Sequence, residues 1–287
     1  MYKLCIENAL GELYDLTNRR DEYYILDIQG LTVPKVKVNT KEFAGFDGSS
    51  YNSSKVEERN IVINIMLRGD IETSRQRLYR IFLIKREITI YFRNKYRSLK
   101  IKGYTESIEG DLFVQQEQMQ VSVICPKPFF EAENPTEAEL SEIVSGFQFP
   151  FSIKSAGISF SEIYNYPVVV LNNPGDVACG ATIEMKFLDY CRIPKITNIL
   201  TGQILKLNGT FLANDKVTIC TIPGNLSVKW YSSIDGEERN ILSYFTSGSS
   251  WFEILPGNNL FRYEDGDKNE GYKVSLIFRI SPLYGGV

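Results

Sequence analysis

The chain has 287 residues, 43% of them hydrophobic and 23% charged, with a formal net charge of −3 and no histidine. That length admits one large or two ordinary domains, and the apolar fraction excludes global disorder. The missing histidine excludes Ser-His-Asp and Cys-His nucleophile pairs, HExxH metalloproteases and the imidazole on which most catalytic zinc sites rely.

No apolar run reaches membrane-spanning length. Glu7, Glu12 and Asp15 fall where a secretory leader would need an unbroken apolar stretch, so the expectation is folding in a reducing cytoplasm. The cysteines (Cys5, Cys125, Cys179, Cys191 and Cys220) agree: they are odd in number and form no CxxC. Buried free thiols are expected, not a disulfide framework or a zinc ribbon.

The first half reads as strands around one helix. "RNIVINIMLRG" (59–69) puts Ile61, Ile63, Ile65 and Leu67 on one face of a strand. "DIETSRQRLYRIFLIKR" (70–86) spaces Leu78, Ile81 and Phe82 helically. Asp70 or Thr73 is its candidate N-cap, and Lys85-Arg86 sit at the end that favours cations. "EITIYFRN" (87–94) and "QEQMQVSVIC" (116–125) alternate again, through Ile88, Ile90 and Phe92, then Met119, Val121 and Val123. "CPKPFFEAENPTEAELSE" (125–142) breaks the pattern with prolines and then runs acidic, which predicts a domain exit and an arm.

From about residue 166 the chain is short strands and turns, the spacing of an antiparallel β-sandwich. Asn208-Gly209, Asp235-Gly236 and Asp265-Gly266 are hairpin signals. Pro-Gly steps recur in "NNPGDVACG" (172–180), "IPGN" (222–225) and "LPGNN" (255–259). Proline fixes φ and glycine supplies a positive φ, so each predicts a type II corner more readily than a ligand loop.

Chemical motifs are near misses. Gly175 to Gly180 and Gly266 to Gly271 have P-loop spacing, but Ala181 and Tyr272 stand where lysine is needed. "EDGDKNEG" (264–271) imitates a calcium loop, yet Gly271 comes one place late and Leu276 replaces the bidentate glutamate. Charge is more informative. Residues 68–102 hold eleven Lys/Arg against Asp70, Glu72 and Glu87, a net +8, which leaves −11 for the rest of a chain totalling −3. A basic segment and an acidic remainder suggest contacts between copies. Arg75, Arg80, Arg86, Arg93 and Arg97 are the candidate subunit-interface residues, with solvated strand and helix faces as the plainer alternative. Tyr91, Phe92 and Tyr96 interleave with these charges, but a pI near 5.4 argues against a dedicated nucleic-acid binder.

In order and spacing, "YILDIQGL", "VICPKPFF", "NNPGDVACGATIEMKF", "ITNILTGQILKLNG", "SSWFEILPGNN" and the ending "PLYGGV" resemble the distal tail protein family of phages that infect Gram-positive bacteria. The resemblance implies a mainly β chain: an N-terminal ring-forming β domain with one α-helix over 1–130, an acidic linker over 131–165, and a C-terminal galectin-like antiparallel β-sandwich over 166–287. It implies a virion protein assembled in the bacterial cytoplasm as a homo-oligomeric, hexameric ring. The ring would join tail tube and tape-measure proteins to tail-tip, baseplate or receptor-binding proteins. No catalysis, cofactor, metal, membrane or sequence-specific nucleic acid is implied. Galactoside-binding galectins use a histidine-containing constellation, absent here, so the sandwich is expected to dock protein, with Asn173, Asp176, Asn225, Asn258 and Asn259 as its candidate rim. Two other classes compete. One is a carbohydrate-binding adhesin module, motivated by Trp251 beside Asn-rich loops, although Trp251 and Phe252 are read first as core. The other is a carboxylate-pair glycosidase drawing on Glu162, Glu184, Asp189 or Glu253.

Overall fold

The structure, a computed structural model, describes residues 2–17, 21–45, 47–112, 114, 116–140, 168–266 and 274–287. They divide into two compact units, Met1–Asn134 with Leu283–Val287, and Pro135–Pro282.

The first unit begins with β1 (Lys3–Glu7), β2 (Leu13–Asp15), β3 (Tyr23–Gln29), β4 (Val36–Glu42), β5 (Ser49–Val56) and β6 (Arg59–Leu67). The helix α1 (Ile71–Ile81) follows, then β7 (Glu87–Arg93), β8 (Ser98–Gly110), β9 (Gln118–Cys125) and β10 (Phe130–Ala132). The main sheet runs β2-β1-β7-β8-β9-β6-β3, every pair antiparallel, with β10 on β8. Period-2 alternation makes this sheet. Ile61, Ile63 and Ile65 stand opposite Val123, Val121 and Met119, and all six are buried. Each such side chain contributes about 1.5–3 kcal/mol by leaving water.

Leu78, Ile81 and Phe82 close this core from α1. Asp70 is the N-cap, accepting from the Thr73 N–H at 3.4 Å and its hydroxyl at 2.6 Å. The helix stops at Ile81, five residues short of its predicted end, because Phe82 turns inward as the C-cap and Lys85 takes a left-handed φ of 58°. Arg80, not Lys85-Arg86, is therefore the basic residue of the last turn.

The predicted acidic arm is largely strand where it is described, broken at residues 133–135. β11 (Thr136–Leu140) pairs with β22 (Val274–Ile280), from Thr136 opposite Ile280 to Leu140 opposite Leu276. Glu137 and Glu139 alternate with half-buried Thr136 and Ala138, so a cluster in sequence becomes one outward row, with Glu137 bonded to Arg279 at 2.8 Å. Residues 141–165 of that arm lie outside the described residues.

The second unit continues with β12 (Val168–Asn173), β13 (Ala181–Phe187), β14 (Cys191–Arg192), β15 (Lys195–Asn198), β16 (Ile204–Lys206), β17 (Thr210–Phe211) and β18 (Lys216–Cys220). β19 (Ser227–Tyr231), β20 (Glu238–Asn240) and β21 (Gly257–Glu264) precede β22. It is the expected two-sheet antiparallel sandwich, β11-β22-β13-β18-β19-β20 against β12-β21-β15-β16. Phe278 of one sheet stacks on Phe261 of the other, ring centroids 4.6 Å apart. Of the three hairpin signals, only Asp235-Gly236 turns a hairpin, β19 into β20, with Gly236 at φ 70°. Asn208-Gly209 and Asp265-Gly266 instead carry the chain between strands of different sheets.

The C-terminus leaves the sandwich. β23 (Leu283–Tyr284) pairs with β10, placing Tyr284 in the first unit's core. The five cysteines are free and buried, and burial pushes the Cys125 thiol up to about 12 and Cys179 up to about 11.

Candidate docking surfaces

The three Pro-Gly corners converge on one end of the second unit. The β12–β21 register sets Asn173 opposite Gly257, so the 174–175 and 256–257 corners are neighbours. Cys179 and Ile254 exchange backbone hydrogen bonds of 3.1 and 2.8 Å. Ala181 donates to the Thr221 hydroxyl at 2.9 Å, and that hydroxyl donates to the Phe252 carbonyl at 2.8 Å. The 222–225 corner is thereby tied to both others.

Two corners are the expected type II turns by their glycines, Gly224 at φ 85° and Gly257 at 87°; the first is closed by Asn225 N–H donating to the Ile222 carbonyl at 2.9 Å. The third departs from expectation. Gly175 has no positive φ, because the Asn173 side chain accepts its N–H at 2.9 Å and turns the chain instead.

The five asparagine and aspartate candidates separate into two kinds. Asn173 and Asn259 are each 1% exposed. Asn173 donates to the carbonyls of Val177 and Ile254, and Asn259 to those of Leu255 and Gly257. Both are internal braces and drop out of the rim. Asp176, Asn225 and Asn258 are exposed, the last accepting from Asn172 at 2.7 Å. They share the rim with exposed Pro223, Pro256, Leu226 and Leu255. Asn173→Ala should cost about 1–3 kcal/mol by orphaning buried groups, whereas Asn225→Ala should leave the urea midpoint unchanged.

The basic segment is answered largely from within its own unit. Arg75 pairs with Glu72 and, at 2.8 Å, with Glu117. Arg77 pairs with Glu22, Arg80 with Glu12 at 3.5 Å and Arg93 with Glu133 at 2.8 Å. Arg97 lies over the Tyr284 ring at 4.6 Å. Arg86 is exposed. Four of the answering acids (Glu12, Glu22, Glu117 and Glu133) lie outside residues 68–102, which is why the charge count alone did not show them.

The Arg93 hydrogen bond is the main cause that holds the Glu133 carboxyl below its ordinary value. A depressed folded pKa gives stability that is complete above the unfolded value of about 4.3 and is lost as pH falls through the folded one. Denaturation curves below about pH 4.5 should therefore fall more steeply for the wild type than for Glu133→Gln.

The competing sites find less support. Trp251 is half-buried, not core, and Phe245 covers its ring at 4.5 Å and 12°, occupying one face a sugar would need. Phe252 is core. Glu184 is bound by Lys216 and Arg279, each at 2.9 Å. Burial pushes its carboxyl up, but these two bonds outweigh it and leave the group lowered, the reverse of what a general acid needs. Asp189 and Glu253 are exposed, and Glu162 lies outside the described residues. Among the described residues no cluster of three His, Cys, Asp or Glu could hold a metal, and no helix is long and apolar enough to cross a membrane.

Comparison with known proteins adds the family. Residues 174–279 match the siphovirus-type tail component, C-terminal domain, and residues 26–125 match the phage tail protein RIFT-related domain. No curated protein matches the sequence. The fold is similar to that of SPP1 Dit (gp 19.1), described as a paradigm of the hub adsorption apparatus in phages infecting Gram-positive bacteria. That likeness has a TM-score of 0.70 at 12% identity over 97% of this chain and 98% of that one. It is also similar to chains of the phage P2 baseplate in its activated conformation, with TM-scores of 0.54 and 0.52, each at 9% identity over 98% of both chains. Both domain models, in chain order, fall on the two units of the fold, and the chain belongs to the siphophage distal tail protein family, a structural component of the phage tail.

Proposed function

We propose that this protein is the hub at the distal end of a phage tail, a hexameric ring assembled in the bacterial cytoplasm. It joins tail tube and tape-measure proteins on one side to tail-tip, baseplate or receptor-binding proteins on the other. The observation that carries this reading is the match of both units to tail domains, with a fold likeness to a hub protein along nearly the whole chain. The first unit supplies the ring and the second the platform. Its rim of prolines, leucines and amides, held rigid by Asn173, Asn259 and Thr221, suits a protein partner.

Gold-labelled antibody against the chain should decorate intact tails at one point, the junction of tube and tip. Label along the tube or on the capsid would overturn the assignment. Calorimetry with host wall polysaccharide should show no saturable heat. Saturable binding lost in Trp251→Ala would favour the adhesin instead.

A further inference from the structure

Residues 283–287 belong to the first unit, although the whole of the second unit precedes them in the chain. They lie in a seat built from three earlier stretches: residues 31–33, Arg59 and β10. β23 pairs with β10, Tyr284 opposite Phe130 and Leu283 opposite Glu131. Val287 N–H donates to the Leu31 carbonyl at 3.1 Å, and buried Gly285 accepts from the Arg59 guanidinium at 2.7 Å. An added Cβ at Gly286 would sit 3.3 Å from the Leu31 carbonyl oxygen, so the strap's own backbone fills the seat closely.

This strap is part of the core and not a trim on its surface. Tyr284 is 8% exposed within the first unit's core cluster, and Val287 packs against that cluster. Without residues 283–287, β10 keeps only β8 as a neighbour, the core loses an aromatic ring, and Arg59 loses one of its four carbonyls. A gap beside Phe130 and an unpaired strand edge leave the unit unfinished.

Synthesis runs from the N-terminus, so residues 1–134 are complete while 135–282 are still to be made. At ~5–20 residues per second that stretch takes roughly 7–30 s, against the microseconds to seconds in which a small domain folds. A self-sufficient first unit would finish in that interval. This one lacks a strand and a core side chain until residues 283–287 arrive.

We propose that the strap is an order-of-folding device: the first unit reaches its finished form only after the second has been made. The inference rests on the reading above that the first unit supplies the ring. A copy then enters the ring only with its docking platform attached, and a chain broken off within the second unit does not compete for a place.

The test follows trypsin cleavage of the first unit on ribosome-bound chains, stalled through a flexible linker with residues 1–140, 1–282 or 1–287 emerged. The two shorter chains should be cut within residues 1–134 about tenfold faster than the longest, as expected if cleavage tracks the unfinished form. The longest should match the released full chain. Equal rates at 1–282 and 1–287 overturn the device. In the released full chain, Tyr284→Ala should bring back fast cleavage within residues 1–134 and abolish the oligomer in light scattering. The tryptophan transition should stay at its wild-type midpoint, since Trp230 and Trp251 both lie in the second unit. Wild-type trypsin resistance in Tyr284→Ala overturns the device as well. A wild type that is monomeric at every concentration contradicts the ring, and the cleavage rates on the ribosome still decide the strap by themselves.

Discussion

Arg59→Met is expected to destabilise the first unit by at least about 3 kcal/mol, since it removes four hydrogen bonds of a buried guanidinium at once, one of them buried and three part-buried. The Arg59 guanidinium donates to the carbonyls of Pro128 at 2.6 Å, Thr32 at 2.6 Å and Gly285 at 2.7 Å, and also to that of Gly30. It lies over the Phe130 ring at 4.5 Å, and burial pushes its pKa down from the ordinary arginine value. No carboxylate is among the acceptors of these bonds; the charge is met by four carbonyl dipoles from three separate stretches of chain, around residues 30–32, 128 and 285. A lysine could not replace it, because one ammonium cannot reach so dispersed a set of acceptors. The readout separates the units. Both tryptophans, Trp230 and Trp251, lie in the second unit, so their fluorescence transition should shift less than the far-ultraviolet dichroism transition. Equal midpoints for Arg59→Met and wild type by dichroism would show that the four-way clamp contributes nothing.

Gly180→Ala should cost the second unit about 1–3 kcal/mol or more, through overpacking and not through φ. Gly180 has an ordinary φ, yet an added Cβ would meet the backbone of Ile222 at 2.5 Å and the Thr221 carbonyl oxygen at 2.8 Å. Those atoms belong to the turn that ties the 222–225 corner to the other two, so the rim must open to make room. Gly224→Ala is the contrasting case. Nothing lies within 4 Å of its added Cβ, and the cost there is the left-handed φ of 85°, roughly 1–2 kcal/mol. Tryptophan fluorescence in urea should place Gly180→Ala below or level with Gly224→Ala. An unchanged midpoint for Gly180→Ala would contradict the close approach at the rim.

What was legible in the sequence was local. Alternation marked β6, β7 and β9, the Asp70 cap marked the start of α1, and the odd cysteine count anticipated buried thiols. The lack of histidine, by itself, narrowed the chemistry open to the chain. The rest depended on contacts distant in sequence. Nothing near Tyr284 says that it pairs with Phe130, and nothing near Arg93 names Glu133. Asn173 and Asn225 each flank a Pro-Gly step, but only the fold shows one bracing its corner from inside and the other facing out. The β4–β5 ribbon carried a faint signal, Val36 and Val38 in alternation ahead of Gly45 and Gly48. That signal says strand and says nothing of the absence of a core beneath it.

The charge asymmetry carries a similar lesson. A net +8 over residues 68–102 has the look of one half of an interface, yet most of the named arginines bind acids of their own unit. Ion pairs of this partly exposed kind are worth little individually. Their effect here is to fix α1 and β7 against the rest of the sheet.

The central claim is that copies of this chain close into a ring, and mass in solution tests it most directly. Light scattering behind size exclusion, over a range of protein and salt concentrations, should give one discrete species of six times the 32.8 kDa chain. Because most arginines of the basic segment already pair with acids of their own unit, that species should hold as salt rises and screens charges. A mass that climbs without limit as protein concentration rises, or a closed species of some other number, would contradict the hexameric ring.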